Sequence, residues 1–228
     1  MMLTFSVVVP AAGVGRRMGA GCPKQYLPLA GRFLIEHTLT RLLEHPRIDE
    51  VIVALAPEDT FFSTLTIAAH PRLRVAQGGA DRAQSVLNGL RLARSEWVLV
   101  HDAARPCITH RDIDQLIHEG LAGDGAILAT RVRDTMKRGD AGGRILKTVE
   151  REQLWHALTP QFFPTQALRE ALEQGLAQGR IITDEASAME QAGFHPQLVE
   201  GRADNIKVTR PEDLALAALY LSQQEQTA

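Results

Sequence analysis

Cysteine is scarce: Cys22 and Cys107 are the only two in 228 residues. Two thiols cannot make a disulfide framework, and neither stands in a Cys-x-x-Cys pair of the kind that holds zinc. That usage fits a reducing compartment. Long apolar runs are also missing, with none approaching the roughly 20 residues of a membrane span. The opening stretch from Met1 to Val9 meets Pro10 at once and has no basic flank, so it does not read as a secretory signal. The expectation is a cytoplasmic protein with no membrane partner. Charge of one sign is absent as well: 25 Lys and Arg against 27 Asp and Glu leave a net −2. A general nucleic-acid binder held by counterion release is therefore disfavoured, although a small polyanion needs only local positive charge. There is no Gly-x-Ser-x-Gly elbow and no His-Glu-x-x-His zinc site, and the eight histidines are scattered.

What is present is ordinary in bulk and patterned in detail. Hydrophobic residues make up 45% and charged residues 23%, which are globular values. Strand-length apolar runs alternate with helix-period segments. Strands are predicted at Phe5 to Val9, Val51 to Leu55, Leu73 to Ala76, Trp97 to Val100 and Ala126 to Ala129, as continuous runs suited to burial on both faces. Helices are predicted at Phe33 to Glu44, from Pro57-Glu58-Asp59 onward, and at Asp81 to Ala93 and Ile113 to Leu121. Further helices follow at Thr165 to Gln178 and Asp184 to Gln191, and a short strand near Leu198. The last helix begins at Thr209, with Glu212 at capping-box spacing and Pro211 in its first turn. Such alternation predicts an α/β fold with a mostly parallel twisted sheet and helices on both faces. Ligands then bind beyond the carboxyl ends of the strands, after Val9, Ala76, Val100 and Ala129.

The rhythm breaks between Arg131 and Leu154. This basic stretch has Gly139, Gly142 and Gly143 at its middle and a candidate strand at Ile145 to Val149, so it reads as a two-stranded β-arm. An isolated hairpin cannot bury itself and needs a partner surface; a solvated loop is the plainer alternative. No repeat or interdomain linker is visible, so residues 1–228 read as one domain with 131–154 as a dimerisation arm.

Five places are chemically unusual. Pro10, Ala11, Ala12, Gly13, Val14 and Gly15 form a loop of small residues directly after the first strand. Backbone N–H groups there can cradle an anion, and Arg16, Arg17 and Lys24 add charge that suits a triphosphate. The loop matches neither the P-loop nor the full dinucleotide fingerprint. Gly78 and Gly79, followed by Arg82, Gln84 and Ser85, either let a flat base lie on the backbone or simply turn into a helix. Asp102, after the strand ending at Val100, either faces a sugar hydroxyl or Mg²⁺ or caps a turn and pairs with Arg105. Its neighbour His101 reads as packed or exposed rather than catalytic. Thr183, before Asp184 and Glu185, reads as a helix N-cap. Lys207 alternates with Asn205 in a strand-like run, so the two face one side. With no general base in view, the set suits phosphoryl or nucleotidyl transfer, where positioning and charge stabilisation carry the chemistry.

Seven motifs then occur in order: Pro10-Ala-Ala-Gly-Val-Gly-Arg-Arg-Met18, Pro23-Lys-Gln-Tyr26, His101-Asp-Ala-Ala-Arg-Pro106, Val132-Arg-Asp-Thr135, Trp155-His-Ala-Leu-Thr-Pro-Gln161, Thr183-Asp-Glu-Ala-Ser187 and Asn205-Ile-Lys207. Over nearly its whole length the chain resembles the 2-C-methyl-D-erythritol 4-phosphate cytidylyltransferases. The resemblance implies a Rossmann-like nucleotidyltransferase fold, a homodimer that exchanges the arm, and a requirement for Mg²⁺ or a similar divalent cation. It implies CTP and methylerythritol phosphate as substrates. By the matching motifs, Ala11 to Gly15 would hold the triphosphate, and Arg17 and Lys24 would stabilise charge as pyrophosphate leaves. Gly78, Gly79, Ser85 and Ala103 would hold cytidine. Thr135, Arg151, Thr183 and Lys207 would bind the acceptor, with Asp102 at the sugar alcohol and at the metal. Ala80 stands where relatives often carry an acid, with Asp81 next. A cytidylyltransferase for another polyol phosphate, such as ribitol 5-phosphate, is the alternative.

Overall fold

The computed structural model describes residues 3–13 and 22–227. Strand β1 (Phe5–Pro10) is the apolar run that opens the chain. A 3₁₀ turn at Lys24–Tyr26 and a small hairpin of β2 (Pro28–Leu29) and β3 (Arg32–Phe33) lead into α1 (Leu34–Glu44). There follow β4 (Ile48–Leu55), β5 (Leu73–Gln77), α2 (Arg82–Leu90), β6 (Trp97–Val100), α3 (His110–Gly120) and β7 (Ala126–Arg131). The arm is β8 (Met136–Gly139) and β9 (Ile145–Val149). The chain ends with β10 (Trp155–Pro164), α4 (Thr165–Ala177), α5 (Glu185–Gln191), β11 (Gln197–Glu200) and α6 (Pro211–Thr227).

The sheet has seven strands in the order β11-β7-β10-β6-β1-β4-β5. Its strands pair in parallel except β10, which lies antiparallel to both neighbours. Because side chains alternate along a strand, β1 feeds two cores. Val7 and Val9 face α1 and α3 with Leu39, Leu42, Ile113 and Leu116. Val8 faces α2, α4 and α5 with Val86, Leu90, Leu172 and Met189. Helices thus cover both faces, as expected. A third cluster seats α6 through Ala217 and Leu221 on Ala104, Cys107 and Val208, next to the ends of the strands.

Four expectations need correction. Residues after Pro57 form short 3₁₀ turns at Phe62–Thr64 and Thr66–Ala69, not an α-helix. The Asp59 carboxylate accepts from the Phe61 and Phe62 N–H groups and from the Tyr26 hydroxyl, which fixes a turn. Asn205 to Val208 is not a strand, although Asn205 donates to Thr159 O and Lys207 reaches Asp102. The partner of Thr209 is Asp213 rather than Glu212: one Asp213 oxygen accepts from Thr209 N and Oγ1 and from Arg210 N. The N-cap of α5 is Asp184, not Thr183, with Asp184 Oδ1 taking the Ser187 N–H at 3.0 Å.

One strand of the seven-stranded sheet had no sequence expectation. Strand β10 carries Pro160 and the polar residues Thr159 and Gln161, and a proline argues against a central strand. An irregularity between Ala157 and Gln161 lifts that stretch out of register with β7. This bulge accommodates the proline and aims Thr159 and Gln161 at the strand ends. The arm forms as expected, with β8 and β9 antiparallel. Asp140 accepts from Gly142 N and Arg144 N at its tip, and Val132 N donates to Leu154 O at its base. Ile145 and Leu146 are exposed on it.

Candidate active site

Beyond the carboxyl ends of the strands lies a cleft built from separate chain turns. Pro10, Ala11, Ala12 and Gly13 leave β1; Gly79, Ala80, Asp81, Arg82 and Ser85 follow β5; Asp102, Ala103 and Ala104 follow β6. Lys24, Gln25 and Lys207 close its sides. Three of the four strand ends singled out by sequence meet here, and the fourth, after β7, leads into the arm. Val14, Gly15 and Arg17 lie outside the described residues.

The loop from Pro10 to Gly13 is held from below. Ala11 N donates to Ala54 O at 2.8 Å, and the buried Gln25 side chain donates to Ala11 O at 2.7 Å. Gln25 thereby joins the loop to the Lys24 turn, and Tyr26 anchors that turn on Asp59 at 2.6 Å. Burial first, and then the Asp59 carboxylate, push the Tyr26 hydroxyl far above its ordinary range, so it stays a donor. Lys24 Nζ donates to Val208 O at 3.1 Å, beside Lys207.

The Gly-Gly turn is shaped by close approach. A Cβ on Gly78 would stand 2.4 Å from Ala12 Cβ and 2.9 Å from Leu55 O. Gly78 thus lies behind the cleft and supports it, while Gly79 lines it. A Cβ on Gly79 would strike Gln84 Cγ at 2.2 Å. Ser85 Oγ accepts from Gly79 N at 3.0 Å and donates to Asp81 O at 2.8 Å, clasping the loop across its mouth. Asp81 caps α2 by accepting from Gln84 N at 2.8 Å.

Asp102 is the electrostatic centre. Oδ1 faces Arg82 Nε at 3.1 Å; Oδ2 faces Lys207 Nζ at 2.8 Å and Arg105 Nε at 3.7 Å. Burial alone would raise its affinity for a proton, but Arg82, Lys207 and Arg105 overcome that and hold the carboxyl far below the usual range. It is an anion under all working conditions. Asp102 pairs with Arg105, as one of its two sequence readings expected, and it also lines the cleft. Its backbone is fixed by a directional chain. His101 is fully buried, and burial pulls its pKa down to about 4. The neutral ring offers Nε2–H to Arg105 O at 3.0 Å, so Nδ1 accepts from Thr159 Oγ1 at 3.0 Å. The Thr159 oxygen then accepts the Asp102 N–H at 3.0 Å.

Arg82 and Glu185 were missed as a pair by sequence reasoning. Arg82 Nη1 and Nη2 grip the two Glu185 oxygens at 2.6 and 3.1 Å. The partners are 103 residues apart, so no local spacing announces them; the only signal is Arg82's place beside the Gly-Gly turn. Gln161 docks α5 in the same region, donating to Asp184 Oδ2 and accepting from Ala186 N, each at 2.8 Å.

The remaining expected residues lie elsewhere. Thr183 sits in the turn before α5 and is not in the cleft lining. Thr135 and Arg151 line a separate hollow on the arm with Thr148, Val149 and Glu150. Within one chain, therefore, the arm residues do not join the cleft.

A family model described as 2-C-methyl-D-erythritol 4-phosphate cytidylyltransferase (IspD) matches residues 5–223. The enzyme of that name from Aeromonas hydrophila is 70% identical, over 96% of this chain and 90% of its own length. The one from Tolumonas auensis is 62% identical, over 98% of this chain and 99% of its own. Among solved structures, the cytidylyltransferase of Francisella tularensis superimposes with a TM-score of 0.84 at 33% identity, covering 95% of this chain and 99% of that one. On its sequence and its α/β nucleotidyltransferase-like fold alike, the chain belongs to the 2-C-methyl-D-erythritol 4-phosphate cytidylyltransferase family.

Proposed function

We infer that this protein joins CTP and 2-C-methyl-D-erythritol 4-phosphate, giving 4-diphosphocytidyl-2-C-methyl-D-erythritol and pyrophosphate in non-mevalonate isoprenoid synthesis. The observation that carries this reading is the cleft itself, where small-residue loops and Lys24 surround a floor bearing the Asp102–Lys207 pair. An acceptor phosphate oxygen, already ionised, attacks the α-phosphorus of CTP. A new P–O bond forms, the bond to the bridging oxygen breaks, and its electron pair leaves with pyrophosphate. No proton needs removing, which matches a floor without a free base.

In this reading Ala11 to Gly15 receive the triphosphate, and Arg17 and Lys24 stabilise the charge developing on it. Gly79, Ala103 and the turn clasped by Ser85 receive cytidine, with Gly78 as their support. Lys207, held by Asp102, aligns the acceptor phosphate with Thr183. Asp102 is too heavily ion-paired to act as a base. Among the described residues no group of His, Cys, Asp or Glu could hold a metal alone. Mg²⁺ would instead be carried mainly by the CTP phosphates, with Asp102 contributing an oxygen only in exchange for one of the cations that face it. When bound, the ion supplies charge neutralisation to the departing pyrophosphate.

Residues 1–228 form one nucleotidyltransferase domain in this reading, and the arm at 131–154 pairs two copies. Thr135 and Arg151 complete the partner's acceptor site, because their hollow is displaced from their own chain's cleft. A cytoplasmic setting is consistent with two free thiols and with the absence, among the described residues, of any helix long and apolar enough to cross a membrane. The test is pyrophosphate release from CTP with methylerythritol phosphate, ribitol 5-phosphate or no acceptor. Release with the first alone is expected. Release favouring ribitol 5-phosphate, or independent of acceptor, overturns the assignment.

A further inference from the structure

Arg82 stands in the first turn of α2, directly after the loop that faces the nucleotide, while Glu185 opens α5, directly after Thr183 and Asp184. The Glu185 side chain is only 1% exposed and takes both Nη groups of Arg82. A fork committed to Glu185 has only Nε left for Asp102 Oδ1, and Asp102 Oδ2 holds Lys207 at 2.8 Å, with Arg105 Nε farther off at 3.7 Å. We propose that Glu185 and Arg82 are positioning residues, the anchored Arg82 fork keeping one Asp102 oxygen available to hold Lys207 and so coupling the nucleotide loop to the acceptor side. This rests on the reading of Lys207 as an acceptor-binding residue.

The charges explain why an anchor is needed. Asp102 and Glu185 face Arg82, Arg105 and Lys207. With Glu185 neutral, one carboxylate remains for three cations. A guanidinium without its own anion turns its fork to the nearest carboxylate, since the bidentate grip is the stronger one. Asp102 would then be held at both oxygens by Arg82, and Lys207 would lose its place.

The experiment measures pyrophosphate release against each substrate for Glu185→Gln, Arg82→Met, the double variant and Lys207→Ala, with CTP affinity measured calorimetrically without acceptor. Glu185→Gln keeps shape and removes charge. It should raise the acceptor KM roughly tenfold while leaving CTP affinity and the circular dichroism spectrum unchanged. The double variant should be no worse than Arg82→Met, because Glu185 acts through Arg82. An unchanged acceptor KM in Glu185→Gln overturns the coupling, and so do losses that multiply in the double variant. If Arg82→Met does not fold, the split between acceptor KM and CTP affinity in Glu185→Gln decides alone. If Lys207→Ala leaves acceptor KM and turnover intact, the acceptor-side reading fails and the coupling falls with it. A crippled Lys207→Ala beside a normal Glu185→Gln sinks the coupling only.

Discussion

Lowering the pH should weaken this fold through His101 before the paired carboxylates titrate. The ring is fully buried, and burial takes its pKa from 6.5 to about 4. Between those values the unfolded chain binds a proton that the folded chain refuses, so stability rises with pH there. The contribution is complete above the unfolded pKa and is lost as pH falls from 6.5 to about 4. At about 1.4 kcal/mol per pH unit, the loss across that window is about 3 kcal/mol. Protonation would also reverse the hydrogen-bond chain: a cationic Nδ1–H cannot accept from Thr159, whose oxygen holds the Asp102 N–H. The assay is urea unfolding at pH steps between 7 and 4, for wild type and His101→Gln. His45 is also held down, chiefly by burial, and contributes in the same direction to both proteins. The difference between the two curves therefore isolates His101. Wild type should lose about 3 kcal/mol relative to the variant across the window. A difference that stays flat with pH refutes the reasoning, because it would mean that the folded protein protonates His101 as easily as the unfolded one.

Other expectations concern the site. Lys24→Ala should slow turnover by about 10² to 10³, and Arg151→Ala homodimers should be nearly inactive; co-refolding the two should restore about one site in four under a two-fold arrangement. Mixed dimers that form, as judged by differently tagged chains, without regaining activity would place Arg151 outside the partner's site. Asp81→Ala should cost about 1 kcal/mol through loss of the α2 cap and leave the CTP/UTP ratio of kcat/KM nearly unchanged; a collapse of that ratio would make Asp81 the base-selecting acid that Ala80 is not. Gly78→Ala forces a methyl against Ala12 and Leu55. It should cost about 1–3 kcal/mol and weaken CTP binding, and a melting temperature and KM equal to wild type would contradict the close approach.

The strands were legible where burial leaves a continuous apolar run, as in β1, β4 and β6. The arm was legible because glycines interrupt a basic stretch at a turn. Strand β10 was hidden by the residues that serve the site: Thr159, Pro160 and Gln161 break the apolar pattern, and Thr159 and Gln161 support Asp102 and α5. The helix expected after Pro57 failed because Asp59 binds Tyr26 and two turn amides, a tertiary bond that no local propensity records. Within the site, the loops after β1 and β5 were visible from their small residues. The Arg82–Glu185 grip was not, since it joins distant chain segments through burial.

The reversed strand β10 also sets the order in which the sheet can be finished. It lies between β6 and β7, both of which precede it in the chain. Until Trp155–Pro164 arrives, those two strands have no bridge and each presents an unpaired edge. During synthesis the nascent chain therefore carries an open slot in the middle of its sheet rather than at its rim. Open edges invite pairing with another chain, so crowded translation of this protein is exposed to cross-chain capture until that one segment clears the ribosome. A chain truncated before Trp155 keeps the slot permanently and should accumulate in insoluble form.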